Sequence, residues 1–522
     1  MEEIGNEYFD ILLQSSLFQD ASMSDSGIVS KCKMHDLVHN LAELVSKSES
    51  LTGDFCGIYN TNEIRHVARV ATSMLDKIPE TSAKKLRSVF FDDGEVPSNI
   101  FPRFNALRVL NLCNANIEKF PISAGRLKHL SLQTLPYFSV GNETGSRIEE
   151  LAGLKQLKGE LILCNMEHVK NGEEAKKAEL EDKRQVCHLS FKWTEDRSTT
   201  HSNEEENVLE GLRPHPELES LSIKNFMVDK FPSWMMGKSL LLNNLKKIQL
   251  LGCDKCEGVP LLGHLPNLTE LKISGMANFK CIGVEFYGYD LVNNVATTSK
   301  EIITLFPTLK ILYILKCNNL IEWMKAPMMS TKKVVVFYCL EMLTINSCSK
   351  LRNAPDVFGS CGSLQRLVIR SCEKLRHLPN GLDTLPLLEE LNILGCPSLD
   401  CERLSSLPSG LEYCISLQKL RIRKYYGVAS SPVHTPASLR QLDFSNCDGL
   451  SGPLGVWASL VELNIFNCNV TSFEIEGGVS LASLKKLTID GCDESSSVPA
   501  LPQQCPFLHE LYIWNCPKLA SL

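Results

Sequence analysis

The chain has 522 residues, 43% of them hydrophobic, which is enough to bury a core and too many for a disordered polypeptide. Lys and Arg number 54 against 61 Asp and Glu; the formal charge of −7 excludes a whole-protein pull toward nucleic acid or anionic membrane. Twenty-one cysteines with no basic, apolar, small-residue leader before them are expected to be thiols in a reducing compartment. No uncharged apolar run approaches about 18 residues, so a membrane span is not expected and the chain reads as cytoplasmic or nuclear.

From the N-terminus, NEYFDILLQSSLFQD (6–20) carries Tyr8, Phe9, Leu12, Leu13 and Leu17 at helical spacing. After a Ser/Asp/Gly loop (22–30), CKMHDLVHNLAELVSKSES resumes the period with Met34, Leu37, Val38, Leu41, Leu44 and Val45. The spacing predicts a small helical piece over 1–55, one edge of a larger domain. Within it, His35-Asp36-Leu37-Val38-His39 lies one residue type away from the His-Glu-x-x-His of a metalloprotease helix. That chemistry needs a Glu long enough to reach a metal-bound water, and a third ligand. Asp36 is one methylene shorter and no third ligand is placed nearby, so neither a metal site nor an enzyme is expected. A structural histidine is the plain alternative.

Residues 56–130 read as first repeats, as in LRVLNLCNANIEKFP (107–121), and 131–215 as an atypical region. From 216 to 522 one pattern dominates, Leu-x-x-Leu-x-Ile-x-x-Cys, as in LKILYILKC (309–317), LQRLVIRSC (364–372) and LVELNIFNC (460–468). Twelve copies occur; nine end in Cys and three in Phe226, Met276 and Tyr425. Their starts lie 21 to 31 residues apart, except for one interval of 41, a spacing that fits leucine-rich repeats. Each copy is predicted to form a short parallel strand with its first, fourth and sixth residues inward, for example Leu364, Leu367 and Ile369. No single copy closes its own core; stacking does, giving an α/β leucine-rich-repeat solenoid with the parallel sheet on its concave face. The terminal Cys is small and buriable, with a weak S–H donor where the backbone leaves the strand. Cys253-Asp254-Lys255-Cys256 has no second pair at ligand spacing and is not expected to hold zinc.

Third, fifth and seventh positions point out of the sheet and vary freely, as a recognition surface requires. The candidates there are Tyr313, Arg366, Arg370, Lys419, Arg421, Arg423, Phe466, Tyr512 and Trp514. Exposed aromatics favour a protein partner. Net charge and missing motifs argue against nucleic acid for the basic group from Arg366 to Arg423.

GNEYFDILLQSSLFQD followed by KMHDLVHNLAELVS resembles the end of the winged-helix section in plant disease-resistance proteins of the coiled-coil, NB-ARC, leucine-rich-repeat type. Residues 135–193 resemble the atypical repeats of the same proteins, and IGVEFYGYD (282–290), inside the 41-residue interval, resembles another of their features. The resemblance implies a winged-helix remnant at 1–55. It also implies a nucleotide-state sensor at Met34, His35 and Asp36, the His of that motif contacting the β-phosphate of ADP in the family. No Gly-x-x-x-x-Gly-Lys-Ser/Thr loop stands in these 522 residues. The chain therefore resembles a C-terminal portion lacking the P-loop, and alone is expected to bind ADP no better than background in calorimetry; ADP or ATP would belong to an intact parent. The partners so implied are a pathogen effector or a guarded host protein and, within a parent, the NB-ARC domain. A ubiquitin-ligase substrate adaptor is the alternative; it would need an F-box-like front end, which 1–55 does not resemble. Relatives have several ordinary repeats between stretches like 107–121 and 132–138, which nearly touch here, so a kink is expected near 120–160.

Overall fold

A computed structural model of the chain describes residues 2–23, 29–46, 49–52, 63–70, 75, 78–91, 103–111, 135–195, 202–236, 242–287, 302–324, 333–354, 360–378, 381–382, 385–399, 411, 414–423, 436–447, 459–468, 481–493, 495 and 503–519. It divides into two units, Met1–Ser139 with Glu143–Ser146, and Val140–Asn142 with Arg147–Leu522.

The first unit opens with helix Glu2–Gln14, an antiparallel pair Phe18–Met23 and Val29–Met34, and helix Asp36–Ser46. The front is thus helix, hairpin, helix, rather than helical throughout. Met34, counted into the helical period from sequence, instead closes a strand opposite Phe18. The hairpin prevails because strand pairing satisfies the backbone through Met34, and the helix begins only where His35 O accepts the N–H of His39 at 2.8 Å. Phe9 and Phe18 close the corner, their ring centroids 5.3 Å apart. Next, Ser50–Thr52, His66–Val70, Ser88–Phe91 and Val109–Asn111 form a four-stranded parallel sheet. Its inward residues Val67, Val89 and Leu110 are buried with Ile78, Leu86 and Phe104. The Arg103 guanidinium donates to Ile78 O at 2.6 Å, tying a connection to that core. Residues 112–134, which hold the 120–134 part of the expected kink at 120–160, lie outside the described residues.

In the second unit every one of the twelve copies becomes a five-residue strand spanning its third to seventh positions, from Ser220–Lys224 to Glu510–Trp514. Consecutive strands pair in parallel with no register shift, third position opposite third along the whole run. The pairing explains the letters. Leu364, Leu367 and Ile369 are fully buried, as are their counterparts in neighbouring copies, each side chain contributing about 1.5–3 kcal/mol by leaving water. Eight of the nine repeat thiols are at most 1% exposed, Cys516 of the last copy being the exception. In all nine, Sγ donates to the carbonyl two residues back, from 3.1 Å (Cys516 to Trp514) to 3.9 Å (Cys396 to Leu394). The neighbouring Cys317 thiol and burial push the Cys348 thiol up, and Cys372 acts likewise on Cys396, so these sulfurs stay protonated.

The atypical region supplies strands Lys158–Cys164 and Gln185–Lys192, parallel to each other and to Ser220–Lys224. Helix Gly172–Lys176 there is capped by Asn171, whose side chain accepts the N–H of Glu174 at 2.9 Å, and it crosses helix Ser202–Gly211 where Gly172 and Gly211 let the backbones meet. In the 41-residue interval Phe286 and Tyr287 are buried against Phe306, Trp323 and Phe337. Trp323 donates to the Tyr287 hydroxyl at 2.9 Å, and that hydroxyl donates to Met324 O at 2.8 Å.

Candidate recognition face and motif

His35 stands immediately before helix Asp36–Ser46 and caps it. Its carbonyl takes the first helical N–H, and its Nδ1 accepts from the N–H of Leu37 at 3.3 Å. With Nδ1 occupied as acceptor, the neutral ring carries its proton on Nε2, leaving that N–H to donate elsewhere. His35 and Asp36 are exposed and Met34 is half-buried. Among the described residues no group of three or more His, Cys, Asp or Glu is arranged to hold a metal. The helix buries none of its residues; Leu37, Leu41, Leu44 and Val45 are 60–74% exposed along its apolar side.

The sheet face of the second unit is built from the outward positions. Burial alternates along most of these strands, with the fourth and sixth residues buried and the third, fifth and seventh more open. Parallel register lines these positions into three rows, so residues far apart in sequence become neighbours.

The third- and fifth-position rows hold a connected charge network. Arg366 pairs with Glu390 at 3.0 Å. Arg421 reaches both Glu390 at 3.6 Å and Asp443 at 2.7 Å. Asn464 donates to Asp443 at 2.6 Å and to Glu462 at 3.0 Å. Lys486 meets Glu462 at 3.4 Å, and that carboxylate raises the lysine pKa. Two members of the candidate basic group, Arg366 and Arg421, are therefore already neutralised by this chain. The carboxylates that do this were missed from sequence. Aligning the copies on one another exposes them, because Arg366 stands opposite Glu390 and Arg421 opposite Asp443 once the register is shared.

Lys419, Arg370 and Arg423 differ. All three are exposed, and none has a carboxylate within ion-pair distance among the described residues. Arg370 and Arg423 occupy the seventh-position row on either side of Leu394. Below them Asn392 is buried; its Nδ2 donates to Glu390 at 2.8 Å while its Oδ1 has no donor.

The aromatic candidates separate as well. Tyr313 is half-buried, its hydroxyl 3.6 Å from the Met342 sulfur. Phe466, Asp490 and Trp514 succeed one another in the seventh-position row. Tyr512 and Trp514 form a ring pair 5.6 Å apart, with the Lys486 ammonium 6.0 Å from the Tyr512 ring. Trp514 is 55% exposed, an apolar area that a monomeric face seldom leaves open. The face thus brings Phe466, Tyr512 and Trp514 to one end and Arg366, Arg370, Lys419, Arg421 and Arg423 to its middle, with Tyr313 farther along.

No helix among the described residues is long and apolar enough to cross a membrane.

Comparison with known proteins agrees with these features. Residues 1–42 match the family model described as disease resistance protein winged helix domain, and residues 148–276 the model described as R13L1/DRL21 LRRs. A putative disease resistance RPP13-like protein 1 of Arabidopsis thaliana is 30% identical over 61% of this chain and 40% of its own length. The putative disease resistance protein RGA4 of Solanum bulbocastanum is 26% identical over 67% of this chain and 40% of its own. The chain therefore spans about two fifths of each of these relatives. Among solved structures, the Leptospira interrogans LRR protein LIC12759 aligns with 88% of this chain and 99% of its own at 14% identity and a TM-score of 0.40, a superposition too loose to bear on function.

Proposed function

From the premise that this chain is a disease-resistance-type leucine-rich-repeat protein of plants, with the winged-helix segment at 1–42 and the R13L1/DRL21 repeats at 148–276, we propose that it serves in plant defence as a recognition and regulatory module. Its sheet face binds a pathogen effector, or a host protein that an effector has altered. The observation that carries the reading is the contrast between a uniformly apolar inward set, almost all Leu and Ile, and outward rows of changing charge and aromatic content, ending in half-buried Phe466 and the exposed ring pair of Tyr512 and Trp514.

The domain limits 1–55, 56–130, 131–215 and 216–522 are part of this reading, and so is a cytoplasmic or nuclear site of action. The front segment is proposed to serve a nucleotide-switched domain in a longer parent. There Met34, His35 and Asp36 would report the nucleotide, His35 donating from Nε2 to a phosphate oxygen. This chain by itself supplies one such donor and no phosphate-cradling loop, so no nucleotide step is assigned to it alone. The uncovered leucines of Asp36–Ser46 fit a surface that packs against more of that domain.

The test is a two-hybrid screen of the full 522-residue chain against a library of secreted pathogen proteins and their host targets, repeated with Phe466→Ala, Tyr512→Ala and Trp514→Ala combined. These side chains stand outside the core, so the variant is expected to melt with the parent in circular dichroism and to lose the selected partners. Partners retained by the triple variant, or a screen that yields none, would overturn the proposal.

A further inference from the structure

Most charges on the sheet face are spent within the chain. Lys247 pairs with Glu270 at 2.9 Å, Arg366 and Arg421 share Glu390, Arg421 also takes Asp443, and Lys486 takes Glu462. Three of the cations without an ion-pair partner among the described residues lie together, whereas Lys192 and Lys272 stand singly farther along the sheet. Arg370 and Arg423 lie on strands Arg366–Arg370 and Lys419–Arg423, separated by the single strand Glu390–Leu394, with Leu394 between them. Lys419 is a third exposed cation on the same strand as Arg423.

We infer that Arg370 and Arg423 form a subsite for an acidic segment of a partner protein, two carboxylates straddling an apolar contact on Leu394. The inference deepens the recognition reading above and rests on it. An unpaired arginine fork offers its strongest complement to a carboxylate, which it can bind bidentately. Two strand spacings of about 4.8 Å set the arginines roughly 10 Å apart at the backbone. A polyproline II segment repeats every three residues with about 3.1 Å rise each, so acids at i and i+3 stand on one side roughly 9 Å apart. That match specifies the spacing of the acids as well as their sign. Nucleic acid fits less well. The patch holds three cations, and the carboxylates of Glu390, Asp443, Glu462 and Asp490 stand on the same face against a phosphate backbone.

The experiment uses the full chain and a fluorescein-labelled peptide of four Glu-Pro-Pro units, followed by anisotropy at low salt. Binding is expected, weakened at least about tenfold when Gln replaces Glu in the peptide, and at least about tenfold by Arg370→Gln with Arg423→Gln in the protein. Lys230→Gln, at an exposed position after strand Ser220–Lys224 and five strand spacings from Arg370, should leave it unchanged. Should the double variant lose its melting transition, each single variant still decides, with an expected loss of about threefold. Absence of binding, equal binding of the Gln peptide, insensitivity to both arginines, or tighter binding of a twelve-residue oligothymidylate lost in the same variants would overturn the inference. The aromatic triple variant reports on the face at large. If it keeps its partners while the arginines still separate acid from amide, the aromatic contact fails and the arginine subsite stands; the reverse pattern sinks only this inference.

Discussion

His35 caps a helix and is proposed to read a phosphate, and substitution can separate the two. As a helix cap it needs an acceptor for the Leu37 N–H, which an Asn side chain also supplies; as a phosphate reader it needs the Nε2 proton, which Asn places differently. His35→Ala is expected to destabilise the start of Asp36–Ser46 by about 1 kcal/mol, whereas His35→Asn should keep it. Faster amide exchange at residues 37–39 in the Ala variant alone is the check; equal exchange in both would show that the cap contributes nothing. The motif was visible in sequence as a resemblance, but the cap was not, because the helical period ran on through Met34 and hid the hairpin that ends there. The repeat thiols were legible to the atom type: a small residue with a weak donor at the strand exit. Less noticed was the residue before the ninth position of a copy, whether that ninth residue is Cys, Phe226 or Met276. Asn225, Gly252, Gly275, Lys316, Ser347, Ser371, Gly395, Asn446, Asn467, Gly491 and Asn515 all adopt positive φ, and eight of these eleven are Gly or Asn, the types that tolerate it. That signal stood beside the Cys all along.

Among the described residues eleven strands end in this left-handed residue, and in ten of them the ninth side chain is buried, so the exit works as one piece. At Gly491 a Cβ would meet the Asn467 side chain of the preceding repeat as well as strain a φ of +65°. Gly491→Ala is expected to cost about 2 kcal/mol, read as a lower denaturant midpoint for the second unit at unchanged slope. No loss would mean that neighbouring exits do not touch. The five-residue strands themselves were readable because their alternation repeats twelve times, and repetition suppresses the ambiguity of a short apolar run. The helix pair Gly172–Lys176 and Ser202–Gly211 was not, since it occurs once and depends on two glycines at a crossing. Neither was the aromatic cluster of Phe286, Tyr287, Phe306, Trp323 and Phe337, whose members come from three segments.

Stacked repeats share their cores only with immediate neighbours, so stability should grade along the second unit. Among the described residues strand Glu510–Trp514 pairs only with Lys486–Asp490, and it leaves Leu511 36% exposed, where the corresponding Leu367 is buried completely. Amide exchange is expected to be fastest at Leu511 and Ile513 and slowest near Leu343 and Leu367; uniform protection would mean that the array opens as a single cooperative body. The fold of this unit was legible because its physics is one-dimensional. The chemistry of its face was only half legible, because pairing such as Arg421 with Asp443 depends on which strands lie side by side.

Alternation along each strand has an evolutionary corollary. Scaffold and contact residues are interleaved one by one yet never share a side of the sheet, so a lineage can exchange any outward letter, or duplicate an entire copy in frame, without renegotiating the interior. Such a face can change at the pace of surface substitution while its architecture stands still.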